Sequence, residues 1–225
     1  MIALSHSTTR WMAAVLLVVA ILIGALLIEL HHISSAGDGA TPATPGISAD
    51  REHRDADTPA ALAGPRHRAS LPPCPTGALN PNPAALRGAL HGVTVECAAD
   101  GSVVEVARAL AGRPVVLNMW AYWCEPCTAE LPAMAEYQRR VGSDVMVVTV
   151  HQDENETAGL LRLADLGVRL PTLQDGRRRV AAALRVPNAI PATVVLRSDG
   201  SVAQTLPRPF ANADEISAAV GNPAR

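Results

Sequence analysis

The chain contains no lysine; all 19 of its basic residues are arginine. Beside the abundant alanine, this reads as readily as codon usage as it does physics, and no function is drawn from it. An excess of either charge is also missing. Against 21 acidic residues the formal net charge is −2, which argues against a nucleic-acid binder and gives no reason to expect an acidic partner. Cysteine is sparse. There are four, an even number that permits two pairs, and only Cys124 and Cys127 stand in a CxxC. No second CxxC and no His-x-x-x-His accompanies them, so a zinc site would lack half of its usual ligands. What is plentiful is apolar surface. Hydrophobic residues make up 48% of the 225, enough to build a core for one domain with extensions, or at most two small domains.

Charge is absent altogether from Trp11 to Ile28, a run of 18 residues. As a helix it would rise roughly 27 Å, close to the hydrocarbon thickness of a bilayer. A buried core helix and a cleaved signal peptide are the alternatives. The run is longer than a usual signal-peptide core, and Ser34-Ser35-Ala36 is only a passable cleavage site. The expectation is therefore an uncleaved transmembrane anchor over 11–30. No cysteine follows the run, which excludes lipid anchoring there. Arg10 before the span, and Glu29 and Asp38 after it, place the 1–10 tail in the cytoplasm and the rest outside. The chain is thus expected at the cell membrane, single-pass, with its C-terminal part extracytoplasmic, where disulfides form and persist.

Residues 31–70 carry Gly, Pro, Ala, Ser, Thr and mixed charge with few large apolar groups, and read as a disordered tether. His31, His32, His53 and His67 suit a metal less well than solvated linker positions. From Leu71 the pattern becomes that of a folded domain over 71–225. "PVVLNMWA" (114–121) and "DVMVVTV" (144–150) read as buried strands, and 92–97 with 101–106 as a strand pair or a strand and a turn. Helices are expected over 125–141, 155–167, 177–184 and 212–221. A hairpin is expected over 191–206, turning at Ser198-Asp199-Gly200. This order implies an α/β domain: a central mixed sheet with helices on both faces.

The CxxC falls where a buried strand ends and a helix begins. Cys124 would lie at that helix's N-terminus, where free N–H groups and the helix dipole favour a thiolate. Cys127 is one turn on, placed to resolve a mixed disulfide. Pro126 sits in the first turn, where a missing N–H costs little. Three readings are open: redox exchange, half of a zinc site, and a structural staple. The staple closes too small a loop to stabilise much, and redox exchange fits the position best.

The segments "GRPVVLNMWAYWCEPCTAELPAM" (112–134) and "VPNAIPATVVLRSDGSV" (186–202) resemble the thioredoxin superfamily. More narrowly, they resemble the membrane-anchored, extracytoplasmic TlpA/ResA-like thiol–disulfide oxidoreductases, over roughly residues 90 to 220. The resemblance implies a thioredoxin-like fold and no cofactor beyond the Cys124–Cys127 disulfide. Cys124 would be the attacking and Cys127 the resolving cysteine, preceded by the family's Trp123. Glu130 would match the glutamate three residues after the resolving cysteine. Buried, it would exchange a proton with Cys127; the alternative is a surface glutamate. Pro191 matches the cis proline that turns the Ile190 backbone towards an incoming peptide. Pro187 is its rival, and a simple edge-strand start the bland alternative. With Trp123, Glu125 and Pro126, these residues make the expected substrate-facing set. Glu125 also sets a carboxylate beside Cys124, which opposes thiolate formation and favours a more reducing couple.

Cys74 and Cys97 are a departure from the common family pattern. They are read as a structural disulfide, with a second redox pair as the alternative. Arg177-Arg178-Arg179 is read as a solvated helix start rather than a docking patch, and His151 as a surface or capping residue rather than a neighbour of the site. Three functions remain in play. The first is a reductant of extracytoplasmic protein disulfides, such as the CxxCH of apocytochrome c, supplied by a membrane thiol transporter. The second is an oxidase of secreted proteins. The third is a copper-delivery module, which the absence of wider cysteine spacing with a distant histidine disfavours. A peroxiredoxin would not need the close CxxC partner. No metal and no nucleic acid are expected.

Overall fold

The computed structural model describes residues 57–77 and 83–221. The expected span over 11–30 and the tether up to residue 56 lie outside them. Among the described residues no helix is long and apolar enough to cross a membrane.

Seven strands form a single sheet in the order β2-β1-β5-β4-β3-β6-β7. They are β1 Thr94–Cys97, β2 Val103–Glu105, β3 Val115–Trp120, β4 Met146–His151, β5 Thr172–Gln174, β6 Ala192–Leu196 and β7 Val202–Leu206. β3, β4 and β5 run parallel, while β6, β7, β1 and β2 pair antiparallel, so the sheet is mixed as expected. The strand over 172–174 was not anticipated. It has three residues, Thr-Leu-Gln, too short for a period to show, yet it joins the β1–β2 pair to the parallel centre.

β3 is buried throughout and feeds both faces by alternation. Val115, Leu117 and Met119 join a cluster with Cys97, Val106 and Val180. That face is covered by the short helices α3 Val106–Ala109 and α6 Arg179–Ala183. Val116 and Trp120 join the opposite cluster with Cys124, Cys127, Leu131, Met134, Tyr137 and Ile216. It lies under α4 Glu125–Val141 and α7 Ala213–Val220. Burying side chains such as Leu131 or Met134 contributes about 1.5–3 kcal/mol each, which is what holds α4 on the sheet. α5 Glu156–Leu166 completes this side, capped by Asn155 and ended by Gly167 at φ 64°. A four-residue α2, Pro83–Leu86, precedes β1.

The end of the expected tether is corrected by α1, Pro59–Ala69. Thr58 caps it, Pro59 opens it and Ser70 closes it in the left-handed region at φ 46°. Its sequence, with Gly64 and Pro65 inside, has little intrinsic helicity. Tertiary contact supplies what propensity lacks. Leu62 and Ala69 bury against Leu160 of α5 and Ala98. Arg66 donates to Glu96 at 2.8 Å and to Glu156 at 2.9 Å. Asp57 accepts from the N–H groups of Glu156 and Thr157 at the start of α5.

Candidate active site

β3 runs out at Trp120, and the chain turns through Ala121, Tyr122 and Trp123 into α4. Cys124 is the N-cap of that helix, and its Sγ accepts from the Cys127 N–H at 3.3 Å. Pro126 occupies the first turn, where no intrahelical partner for an N–H exists. Cys124 and Cys127 form a disulfide with Cα atoms 5.2 Å apart. Cys127 is fully enclosed, while Cys124 retains 5% exposure. Trp123 is the large apolar surface at this point, 59% exposed. Its Nε1–H donates to Asp153 Oδ2 at 2.8 Å, which ties the indole to the loop after β4. Glu125 and Pro126 are exposed beside it.

The second wall comes from β6. The Ile190–Pro191 peptide bond is cis and Pro191 is buried. Ala192 pairs with Met119, so Pro191 stands at the level where β3 delivers the chain to the CxxC. Ile190 packs against the cluster that contains both cysteines. The loop before it is held by Arg178, which donates to Asn188 Oδ1. Arg178 is half-buried, so the expected solvated helix start describes Arg177 and Arg179 but not Arg178.

Glu130 is fully buried one turn beyond Cys127 on the same helix. Asn118 Nδ2 of β3 donates to its Oε2 at 2.7 Å, and the Phe210 N–H donates to its Oε1 at 3.0 Å. Loss of water around this carboxyl raises it to about 7, with the two hydrogen bonds and Arg208 pulling down and Glu215 pushing up. A carboxyl poised there can take or give a proton near neutral pH.

A family model described as the AhpC/TSA family matches residues 90–205, more than half of the chain. The chain belongs to the AhpC/TSA family. Within this thioredoxin-like family it is similar to the thiol-disulfide oxidoreductase ResA of Bacillus subtilis (strain 168), 34% identical over 108 residues. That alignment covers 48% of this chain and 59% of ResA, so the chain spans about three fifths of its relative's length. A secreted Mycobacterium tuberculosis disulfide oxidoreductase, described as homologous to E. coli DsbE, is 26% identical with a TM-score of 0.51. The match covers 59% of this chain and 96% of that one. MTB dsbF, in mixed oxidized and reduced forms, shares the fold with a TM-score of 0.53 at 24% identity, covering 63% and 98%.

Within this AhpC/TSA-family domain His151 departs from expectation. It is buried, not a surface residue, because Gly159 of α5 leaves room for it. A Cβ on Gly159 would lie 2.7 Å from the His151 ring. The imidazole sits against Trp120, ring centroids 4.7 Å apart, and its Nδ1 pairs with Gln174 Oε1 at 2.8 Å. Burial pushes its pKa down. Cys74 and Cys97 form a second disulfide, Cα atoms 5.8 Å apart, on the cluster beneath the opposite sheet face. Phe210 and Asn118, the partners of Glu130, were not singled out in the sequence. A lone phenylalanine between Pro209 and a helix cap was the available signal for the first.

Proposed function

We propose that this protein is a thiol–disulfide oxidoreductase whose Cys124–Cys127 pair exchanges with protein substrates outside the cytoplasmic membrane, acting as a reductant. The observation that carries this reading is the redox pair at the N-terminus of α4 with Glu130 buried one turn beyond Cys127. The Cys127 N–H that faces Cys124 Sγ favours the thiolate when the pair is reduced. The Cys124 thiolate attacks a substrate disulfide, one substrate sulfur leaves as a thiolate and takes up a proton, and a mixed disulfide forms. Glu130 then accepts the proton of Cys127, whose sulfur attacks Cys124 Sγ and expels the second substrate sulfur. The second substrate sulfur also takes up a proton; the two protons balance the one that Cys124 released to water on ionising and the one that Glu130 took from Cys127, two electrons pass to the substrate, and Cys124–Cys127 becomes the disulfide.

Trp123 and the Ile190–Pro191 edge form the two sides against which an extended substrate segment would lie. Glu125 supports the reductive direction, because its carboxylate opposes the Cys124 thiolate and so favours the oxidised pair. The name of the ResA relative supports thiol–disulfide exchange, and the apolar run from Trp11 to Ile28 supports a membrane-tethered, extracytoplasmic enzyme. On this reading its substrates include the CxxCH disulfide of apocytochrome c, and a membrane thiol transporter reloads it. Replacing Cys127 with Ser leaves Cys124 to hold mixed disulfides. Capture of cytochrome c precursors is expected. Capture of many unrelated secreted proteins instead would reverse the direction to an oxidase, and no capture together with tight copper binding would end both readings.

A further inference from the structure

Glu130 has two hydrogen-bond partners of different kinds. Asn118 belongs to β3 at the centre of the sheet. Phe210 belongs to the short loop between β7 and α7, 80 residues away in sequence. A loop flanked by Pro207 and Pro209 and exposed except for Phe210 is an unexpected support for a buried acid, and what holds it in place is specific. The Arg208 guanidinium lies over the Phe210 ring, 4.3 Å from its centroid. The same side chain pairs with Glu215 of α7 and donates to the Pro209 carbonyl at 3.3 Å. Glu215 Oε2 in turn accepts from the Ala211 N–H at 2.9 Å. Arg208 thus fastens both sides of the residue whose N–H reaches Glu130.

We propose that Arg208 is a positioning residue of the reaction, closing the 207–211 loop over Glu130 and holding the Phe210 N–H on its carboxylate. The proposal rests on Glu130 being the proton acceptor for Cys127. Groups facing Glu130 can be counted element by element. β3 offers uncharged Asn118, and β6 from Ala192 to Leu196 has no ionisable residue. On α4 Cys127 stands one turn before Glu130, and the loop and α7 contribute Arg208 and Glu215. Arg208 is therefore the cation of this set. It favours the ionised carboxylate directly by its charge and indirectly by keeping the N–H donor in place. Phe210 also gains from the contact, because a guanidinium over an aromatic face is attractive and shields the ring from water.

The test compares Arg208→Gln, which loses the charge, with Arg208→Lys, which keeps it, and with Arg197→Gln on the β6–β7 turn as a control. Carbon-13 NMR of the Glu130 carboxyl is followed against pH in the disulfide form, where neither Cys124 nor Cys127 titrates. The midpoint in Arg208→Gln is expected to rise by roughly half a pH unit, as for one partly screened charge nearby. Arg208→Lys should recover most of it, and Arg197→Gln should not move it. The pH profile of exchange with a disulfide-containing CxxCH peptide should shift in the same direction and by a similar amount. An unmoved Glu130 midpoint in Arg208→Gln overturns the proposal, as does a moved midpoint with an unmoved rate profile. A pH profile left unchanged by Glu130→Gln would instead remove the proton-acceptor role, and the proposal with it, while the NMR midpoints still report whether the clamp exists.

Discussion

The two disulfides lie on opposite faces of one sheet, and their sulfur atoms meet opposite backbone groups. Cys124 Sγ faces the Cys127 N–H at 3.3 Å, at the end of a 17-residue helix. Cys74 Sγ faces the Thr172 carbonyl oxygen, also at 3.3 Å. An N–H dipole lowers the energy of a thiolate, and a carbonyl oxygen raises it. Cys124 adjoins an exposed tryptophan and Cys127 is fully enclosed, while Cys97 is fully enclosed and Cys74 is half-buried. The first bond closes a three-residue separation and the second one of 23. The two pairs thus differ in the backbone group that each sulfur meets and in the loop that each closes. The sheet lies between the two pairs.

The largest effect should come from breaking that contrast at the reactive pair. Cys124→Ser is expected to lower disulfide exchange at least about 10³-fold, since its partner Cys127 is fully enclosed. Exchange followed with a disulfide peptide checks it, and residual activity within tenfold of the parent would assign the attack elsewhere. The paired replacement Cys74→Ser with Cys97→Ser should leave the exchange rate at 25 °C within about twofold and lower stability by about 3 kcal/mol, from the loop it closes. Denaturant unfolding measures this. Mild reductant, followed by thiol labelling and mass spectrometry, should open Cys124–Cys127 first. Opening of Cys74–Cys97 under the same conditions would make it a second redox pair.

Glu130 contributes an effect of similar size but opposite sign on stability. Its folded-state pKa of about 7 stands above the ordinary glutamate value of 4.5. Stability from the neutral form is present below about 4.5 and falls as pH rises through about 7. Glu130→Gln removes that fall, so at pH 8 the variant should be more stable by up to about 3 kcal/mol and equal to the parent at pH 4. Asn118 Oδ1 has no hydrogen-bond partner among the described residues, so an amide flip can receive the introduced N–H. Exchange at pH 7 should slow by about 10²-fold as the proton acceptor is lost. Equal stability at pH 4 and pH 8 relative to the parent would show that the carboxyl is not strained by burial.

Much of this was legible before the fold. The bounds of α4 follow from Cys124 as a cap, Pro126 in the first turn and Gly142 beyond the end, all local signals. The site residues on α4 and Pro191 needed only spacing and resemblance. What escaped reading depends on distant partners. α1 carries Gly and Pro and is held by Arg66 bridging residues 30 and 90 positions away. Such pairing leaves no periodicity. Arg66→Ala should loosen α1 and cost about 2 kcal/mol, since it strands the buried Glu156 carboxylate. Faster amide exchange confined to α1 and the start of α5 is the expected signature, and unchanged protection there would separate the helix from its ion pair. His151 was misread because its burial is decided by a glycine on another element.

The smallest expected effect probes how the reactive face is presented. Asp153 holds the exposed Trp123 indole with one carboxylate oxygen and accepts from the Asn155 N–H with the other. Its own carbonyl accepts from Gln174 Nε2 at 2.7 Å, and Gln174 in turn holds His151. The loop is thus anchored to the sheet independently of its side chain. Asp153→Ala should free the indole without moving the cysteines. A hydrogen bond at an exposed site is worth about 1 kcal/mol, so KM for a disulfide peptide should rise about three- to fivefold with kcat unchanged. The potential of the Cys124–Cys127 pair should stay where it is. If kcat fell and KM did not, Trp123 would act on the chemistry of Cys124 rather than on the substrate, and the reactive pair would owe part of its difference from Cys74–Cys97 to Asp153 as well as to the helix end.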